Sequence, residues 1–415
     1  YGIQAPEFDW DDYKGADVEG KVLVFKNSDP GYDPDLFAGN ARLYYGRWSY
    51  KYEKALEMGA LGAIIVHTTP TAGYPWLVVS NSWGRRRFTL KSAPGSLDGA
   101  PAFNAWLTTA SSAELFEAAG LSLSEQLAAA DSPGFSPVPL SGVTLDAALD
   151  ASYGELATRN VVGRIPGSDP ALAAEHLVLT AHHDHLGITL PVRGDSINNG
   201  AHDDAVGVAS LLNMAEALQR DRANLRRSTL LLLVGAEEMG LLGSKYWAEN
   251  PSVDPAYVTA NLNLDMVQVY GPTRDLVVVG YGRNTFSDLV EQVAAEQGRT
   301  VVPDPAPEQG LFYRSDHFSM AKVGIPAVFP GEGRDFIGKP EGYSELVDSV
   351  RASNYHSVAD EINEYWDLQG AENDLKLLYE AAVRALNADE MMSWKPGDEF
   401  EAARKASLER RAANP

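Results

Sequence analysis

With 415 residues the chain is too long for one ordinary core, so two domains are expected. Its hydrophobic content of 45% and charged content of 22% are those of a soluble globular protein, and no apolar run approaches a membrane span. A formal net charge of −23, from 34 basic and 57 acidic residues, argues against nucleic acid and anionic lipid as partners.

There is no cysteine, which removes thiolate zinc sites, disulfides and cysteine nucleophiles together. The chain opens on Tyr1 rather than Met, so a longer precursor is expected, with any signal peptide in the preceding piece.

In chain order, VEGKVLVFKNSDP predicts a strand leaving a turn. YKYEKALEMGALGAIIVHTT predicts a helix and then a buried strand, and SAELFEAAG a further helix. The segment DSPGFSPVPLSG carries three prolines and marks the boundary between a domain of residues 1–138 and one of residues 139–415. Beyond it strand and helix alternate. RNVVGRI and HLVLTAHHD are strand-like, AVGVASLLNMAEALQR is helical, TLLLLVGAEE is a strand and GLLGSKYWAEN a helix. VTANLNLDMV, TFSDLVEQVAAEQG and GIPAVF continue the alternation, and DLQGAENDLKLLYEAAVRALN is a long amphipathic helix. This order predicts an α/β fold with a mostly parallel, buried sheet, and the polar clusters fall where its strands end.

Those clusters carry the chemistry. His182-His183-Asp184 and Glu237-Glu238 stand at the ends of apolar runs, where charged groups need a partner or a metal, and Asp203-Asp204 lie between them in sequence. In extended backbone, positions i and i+2 face one side, so His182 can reach a cation while Asp184 steers its imidazole from behind. The plain alternative is a capped strand end with surface histidines. His183 and His185 are not expected as ligands, since alternation points His183 away. Asp203 and Asp204 precede a helix, where either can cap the N-terminus or bridge two cations. Adjacent carboxylates at Glu237 and Glu238 repel unless a cation or proton lies between them. They suit one ligand and one general base, or else two solvated side chains. Asp265 ends another apolar strand, and His356 lies in SNYHSVADEIN; His67, His176 and His202 read as structural. Together the clusters offer two imidazoles, three carboxylates and one free glutamate, a set suited to two zinc ions.

TAHHDHLG, NNGAHDDAVGVA, VGAEEMGLLGS, NLNLDMV and NYHSVADEI resemble, in order and spacing, the motifs of the co-catalytic dizinc aminopeptidases. That family includes the glutamate carboxypeptidase II-like enzymes and, as distant relatives, glutaminyl cyclases and the transferrin receptor. The resemblance covers about residues 140–390. It implies a zinc-peptidase α/β/α sandwich with two zinc ions per chain. His182 and Asp265 would hold one ion, Glu238 and His356 the other, and Asp203 would bridge them. Glu237 would be general base and proton shuttle, Asp184 the partner behind His182, and Tyr355 a stabiliser of the oxyanion. It also implies a cis Asp203–Asp204 peptide bond.

VEGKVLVFKNSD and KALEMGALGAIIVHT are similar to the inserted protease-associated domain, a smaller β-rich α+β module. Members of that layout usually carry a further peptidase segment before the insert, so truncation or processing is expected. One departure is Val206-Gly207, where many members have a small hydroxyl residue before the glycine. The implied activity is peptide hydrolysis, most simply by an aminopeptidase on peptide substrates. Carboxypeptidase or dipeptidase specificity, and a single-zinc glutaminyl cyclase-like transfer, are the alternatives. The resemblance also implies a secreted or periplasmic protein.

Overall fold

The runs HLVLTAH and VTANLN are buried at every residue, which requires cover on both faces and places them in the middle of a sheet. The computed structural model describes residues 1–413 other than 32, 35, 84–85, 92–100, 133 and 151. They form two compact units, Tyr1–Leu156 with Ala306–Tyr313, and Ala157–Pro305 with Arg314–Pro415. Residues 136–150 and 152–160 form no helix or strand, so the linker expected near residue 138 runs on to the border at Leu156. Pro133 of that linker lies outside the described residues.

In the first unit, β1 (Val22–Lys26), β2 (Gly62–Val66) and β3 (Phe103–Leu107) make a parallel sheet with β2 in the centre. Helix α1 (Trp48–Glu57) supplies Tyr52 and Ala55 to a core with Phe25, Ala63, Ile65 and Trp106. Among the described residues of this unit helix outweighs strand, so it is not the β-rich module expected; its strands pair in parallel, and parallel neighbours need crossover connections, here largely helical.

The second unit contains β4 (Val161–Ile165), β5 (His176–His182), α2 (Val206–Asp221), β6 (Ser228–Val234), β7 (Val258–Asn263) and β8 (Asp275–Val279). It continues with α3 (Thr285–Glu296), β9 (Thr300–Pro303), β10 (Ala327–Gly331), α4 (Tyr343–Asn354) and α5 (Gln369–Asn387). Its seven-stranded sheet has the order β9-β8-β10-β7-β5-β6-β4. Neighbours run parallel except β8 with β10 and β6 with β4.

Alternation along β5 explains the layering. Leu177, Leu179 and Ala181 join Leu211, Val290 and Leu378 of α2, α3 and α5 in one core, while Val178 joins Trp247 and Met320 in another. The expected mixed, mostly parallel sheet between helices is therefore present. Strands β8 and β9 and helix α4 were not expected from the sequence. Among the described residues no helix is long and apolar enough to cross a membrane.

Candidate metal centre

The three central parallel strands deliver the site at their C-terminal ends, where α/β sheets bind ligands. His182 is the last residue of β5, Glu237 and Glu238 follow β6, and Asp265 follows β7. Asp203 sits in the turn that opens α2, and the Asp203–Asp204 bond is cis, as expected. Backbone in the left-handed region recurs here, at Ala236 before the glutamates, at Met266 after Asp265 and at His356 itself. Such conformations persist in non-glycine residues only where the surroundings impose them.

Four of the five expected ligands are tied by short N···O contacts. His182 Nε2 lies 3.0 Å from Asp203 Oδ1 and 4.0 Å from Asp265 Oδ1. His356 Nε2 lies 3.1 Å from both Asp203 Oδ2 and Glu238 Oε2. The Asp203 carboxylate thus stands between the two imidazoles, one oxygen toward each. His182 Nδ1 donates to the Asp184 main-chain carbonyl at 3.0 Å, which puts the ring proton on Nδ1 and leaves the Nε2 lone pair aimed at the carboxylates.

The Asp184 carboxylate does not take the place expected for it behind His182. It lies 3.8 Å from Nδ1 and instead accepts the amides of Glu237 (3.0 Å) and Glu238 (3.3 Å), fixing the turn that carries both. Asp204 lies within reach of His182 and Asp265. Its oxygens, however, accept the amides of His182 (3.2 Å), Gly207 (3.1 Å) and Met266 (3.2 Å), so it serves as an internal brace. Gly207 is required by that brace, since a Cβ there would stand 2.1 Å from Asp204 Oδ1 and 2.3 Å from the Leu264 carbonyl. Tyr355 is half-exposed and stacks on the His356 ring at 3.8 Å.

The electrostatics are those of a cation site. Burial, joined by neighbouring carboxylates, holds Glu237, Asp204 and Asp265 above the ordinary carboxylate range. Burial opposes ionisation of Asp203 and Glu238 too, but imidazole partners outweigh it and hold both low: His182 and His356 at Asp203, His185 and His356 at Glu238. Burial likewise disfavours charge on His356, yet Asp203 and Glu238 raise it to about 9. So many carboxylates can be ionised together only with extra positive charge among them. Imidazole nitrogen and carboxylate oxygen are the donors that zinc accepts. The donor set fits.

Sequence reasoning missed several participants. Asp360 is buried and accepts the amides of His202 (2.8 Å) and Asp203 (3.1 Å), tying the His356 loop to the Asp203 turn. Ser315 donates to Asp265 Oδ2 at 2.5 Å and accepts from Asn263 at 2.7 Å. Burial pushes the neighbouring Asp316 up to about 7. His185, set aside in the sequence, reaches Glu238 Oε1 at 2.7 Å. His202, read as structural, faces Glu332 at 3.3 Å.

The family model for peptidase family M28 matches residues 160–379, which is 220 of the 415 residues and includes every residue of this centre. The chain belongs to peptidase family M28. Among curated relatives, the leupeptin-inactivating enzyme 1 of Streptomyces exfoliatus is 27% identical to this M28 chain over 252 residues. The alignment covers 58% of this chain and 51% of that enzyme, so the chain spans about half the length of that relative. An aminopeptidase from Aneurinibacillus sp. strain AM-1 superposes with a TM-score of 0.44 at 19% identity, over 89% of this chain and 70% of that one. For a zinc aminopeptidase from Bacillus subtilis the TM-score is 0.43 at 17% identity, over 93% and 73%.

Proposed function

We propose that this M28 chain is a zinc-dependent exopeptidase, specifically an aminopeptidase that holds two zinc ions. The observation that carries the reading is the Asp203 carboxylate, which faces His182 with one oxygen and His356 with the other. His182 and Asp265 would hold one ion, Glu238 and His356 the second, and Asp203 would be shared. Bound zinc supplies Lewis acidity, making a water acidic enough to ionise near neutral pH and drawing charge from a carbonyl.

The chain's own groups do the rest. Glu237 takes the proton of the attacking water on its carboxylate and passes it to the leaving amine. Its buried position and raised pKa suit a group that must hold that proton between the two events. Asp184 keeps Glu237 and Glu238 in register through their amides. Although Tyr355 as a whole is half-exposed, desolvation at its hydroxyl and the carboxylates of Asp203 and Glu238 hold that group above the ordinary phenol range, so it can donate to the developing oxyanion.

The first unit is proposed as the protease-associated module, on the strength of the strand at β1 and the helix–strand pair α1–β2 in its sequence pattern. A secreted or periplasmic location is proposed on resemblance alone; cell fractionation tests it.

A panel of aminoacyl anilides with free and blocked α-amines, with N-blocked peptides bearing a free C-terminus and a glutaminyl peptide, tests the activity. Chelator-sensitive release from the free forms alone supports an aminopeptidase. Release only from peptides with a free C-terminus would replace it with a carboxypeptidase, and pyroglutamate formation with a cyclase.

A further inference from the structure

We propose that His185 is a third imidazole ligand of this centre, joining Asp203, Glu238 and His356 around the second ion. The proposal rests on the zinc reading above and adds a residue outside the ligand set that the motifs imply.

The contact with Glu238 carries it. His185 Nδ1 and Glu238 Oε1 are 2.7 Å apart, and their side chains are only 7% and 3% exposed. Yet neither atom makes an aligned hydrogen bond, and His185 Nε2 makes none either. A buried imidazole whose Nε2 has no partner and whose Nδ1 meets its carboxylate only off-line is costly, and so is the carboxylate oxygen it faces. Two donor atoms brought close without an N–H pointing from one to the other are arranged as ligands of a common cation are. Asp203 completes the group, since one ligand atom each from His185, Asp203 and Glu238 lie within 4.8 Å of one another.

The surroundings are shaped for this ring. Gly200 adopts φ +63° beside it, and a Cβ there would stand 2.6 Å from His185 Cγ. The His185 ring meets the His356 ring edge-on at 5.9 Å, so both imidazoles border one space. His183 contrasts with it: its Nε2 lies 2.9 Å from the Arg159 carbonyl, away from the centre.

The consequence is an asymmetric pair. Two imidazoles and two carboxylates would then be available to the second ion, against one imidazole and two carboxylates, from His182, Asp203 and Asp265, for the first. The second ion is then the tighter and the first the exchangeable one.

Two measurements test this. In competition titrations against a chromogenic zinc chelator, H185Q should lose at least about tenfold in affinity at one of two steps. H183Q should titrate as the unsubstituted protein does, and the melting temperature of metal-free H185Q should be unchanged. Equal affinities for H185Q and the unsubstituted protein would overturn the proposal. A crystal structure of the zinc-loaded natural chain decides independently of any variant's folding. A His185 ring nitrogen about 2.0–2.1 Å from zinc supports the assignment, and one beyond about 3 Å from both ions overturns it alone. A chain that binds no zinc ends both this proposal and the function on which it rests.

Discussion

Asp184 holds Glu237 through the main chain: the Glu237 amide donates to Asp184 Oδ1 at 3.0 Å, and the next amide, of Glu238, donates to Oδ2 at 3.3 Å. One carboxylate at the end of β5 thereby sets the position of the proposed base and of a proposed ligand beyond β6. Replacing Asp184 by Asn puts an NH2 donor against one of these amides, which then loses its acceptor. We expect D184N to fold and to lose about 10–100-fold in kcat, the effect typical of groups supporting a metal site. Unchanged kcat with anilide substrates would show that the turn is held by other means.

Glu237→Gln keeps the size and burial of the side chain but removes its ability to accept a proton. Zinc content should stay at the unsubstituted level, because Glu237 is not among the proposed ligands. The kcat should fall by about 10²–10⁴-fold, the usual share of a general base. Turnover close to that of the unsubstituted chain would remove Glu237 from the mechanism.

Gly207 is where the Asp204 brace meets α2. An added methyl would sit 2.1 Å from Asp204 Oδ1, which accepts the amides of Gly207 and Met266, and 2.3 Å from the carbonyl of Leu264, whose own amide donates to Thr180. Overpacking of this kind costs about 1–3 kcal/mol or more. Gly207→Ala should lower the unfolding midpoint in urea and weaken zinc retention in the same protein. An unshifted midpoint would mean that the turn can relax.

The acid limb of stability has a local component at His176. Arg164 donates to His176 Nε2 at 3.0 Å, so the ring must be neutral there, and burial with the nearby Arg164 charge lowers its pKa to about 4. Below the unfolded value of 6.5 the unfolded chain binds a proton that the folded chain refuses. Stability from this group is therefore full above pH 6.5 and is lost as pH falls toward 4. In metal-free protein, His176→Gln should flatten the fall in melting temperature between pH 7 and pH 4.5. Parallel curves for both proteins would contradict the assignment.

The sheet was legible because β5, β6 and β7 are apolar runs ending in chemistry-bearing residues, and parallel strands buried on both faces cannot be written otherwise. The five proposed ligands, His182, Asp203, Glu238, Asp265 and His356, were named through motifs that resemble a known family's, and the fold brings His182, Asp203, Glu238 and His356 into contact. Asp360 and Ser315 were not legible: each acts through a main-chain or side-chain bond to a residue distant in sequence, and isolated Asp or Ser residues carry no periodic signal. His185 was set aside on strand alternation. The strand stops at His182, so the two-residue period no longer governs position 185. Helix α4 hid in a Gly- and Pro-rich stretch whose first part, 332–342, does form turns and loops.

Metal content per chain tests the central claim most directly, measured by elemental analysis on protein purified without chelator and again after zinc reconstitution. The account predicts two zinc ions per chain, removed by chelator together with hydrolysis of free-amine substrates and restored with it. A chain that stays metal-free after reconstitution while remaining folded would contradict it.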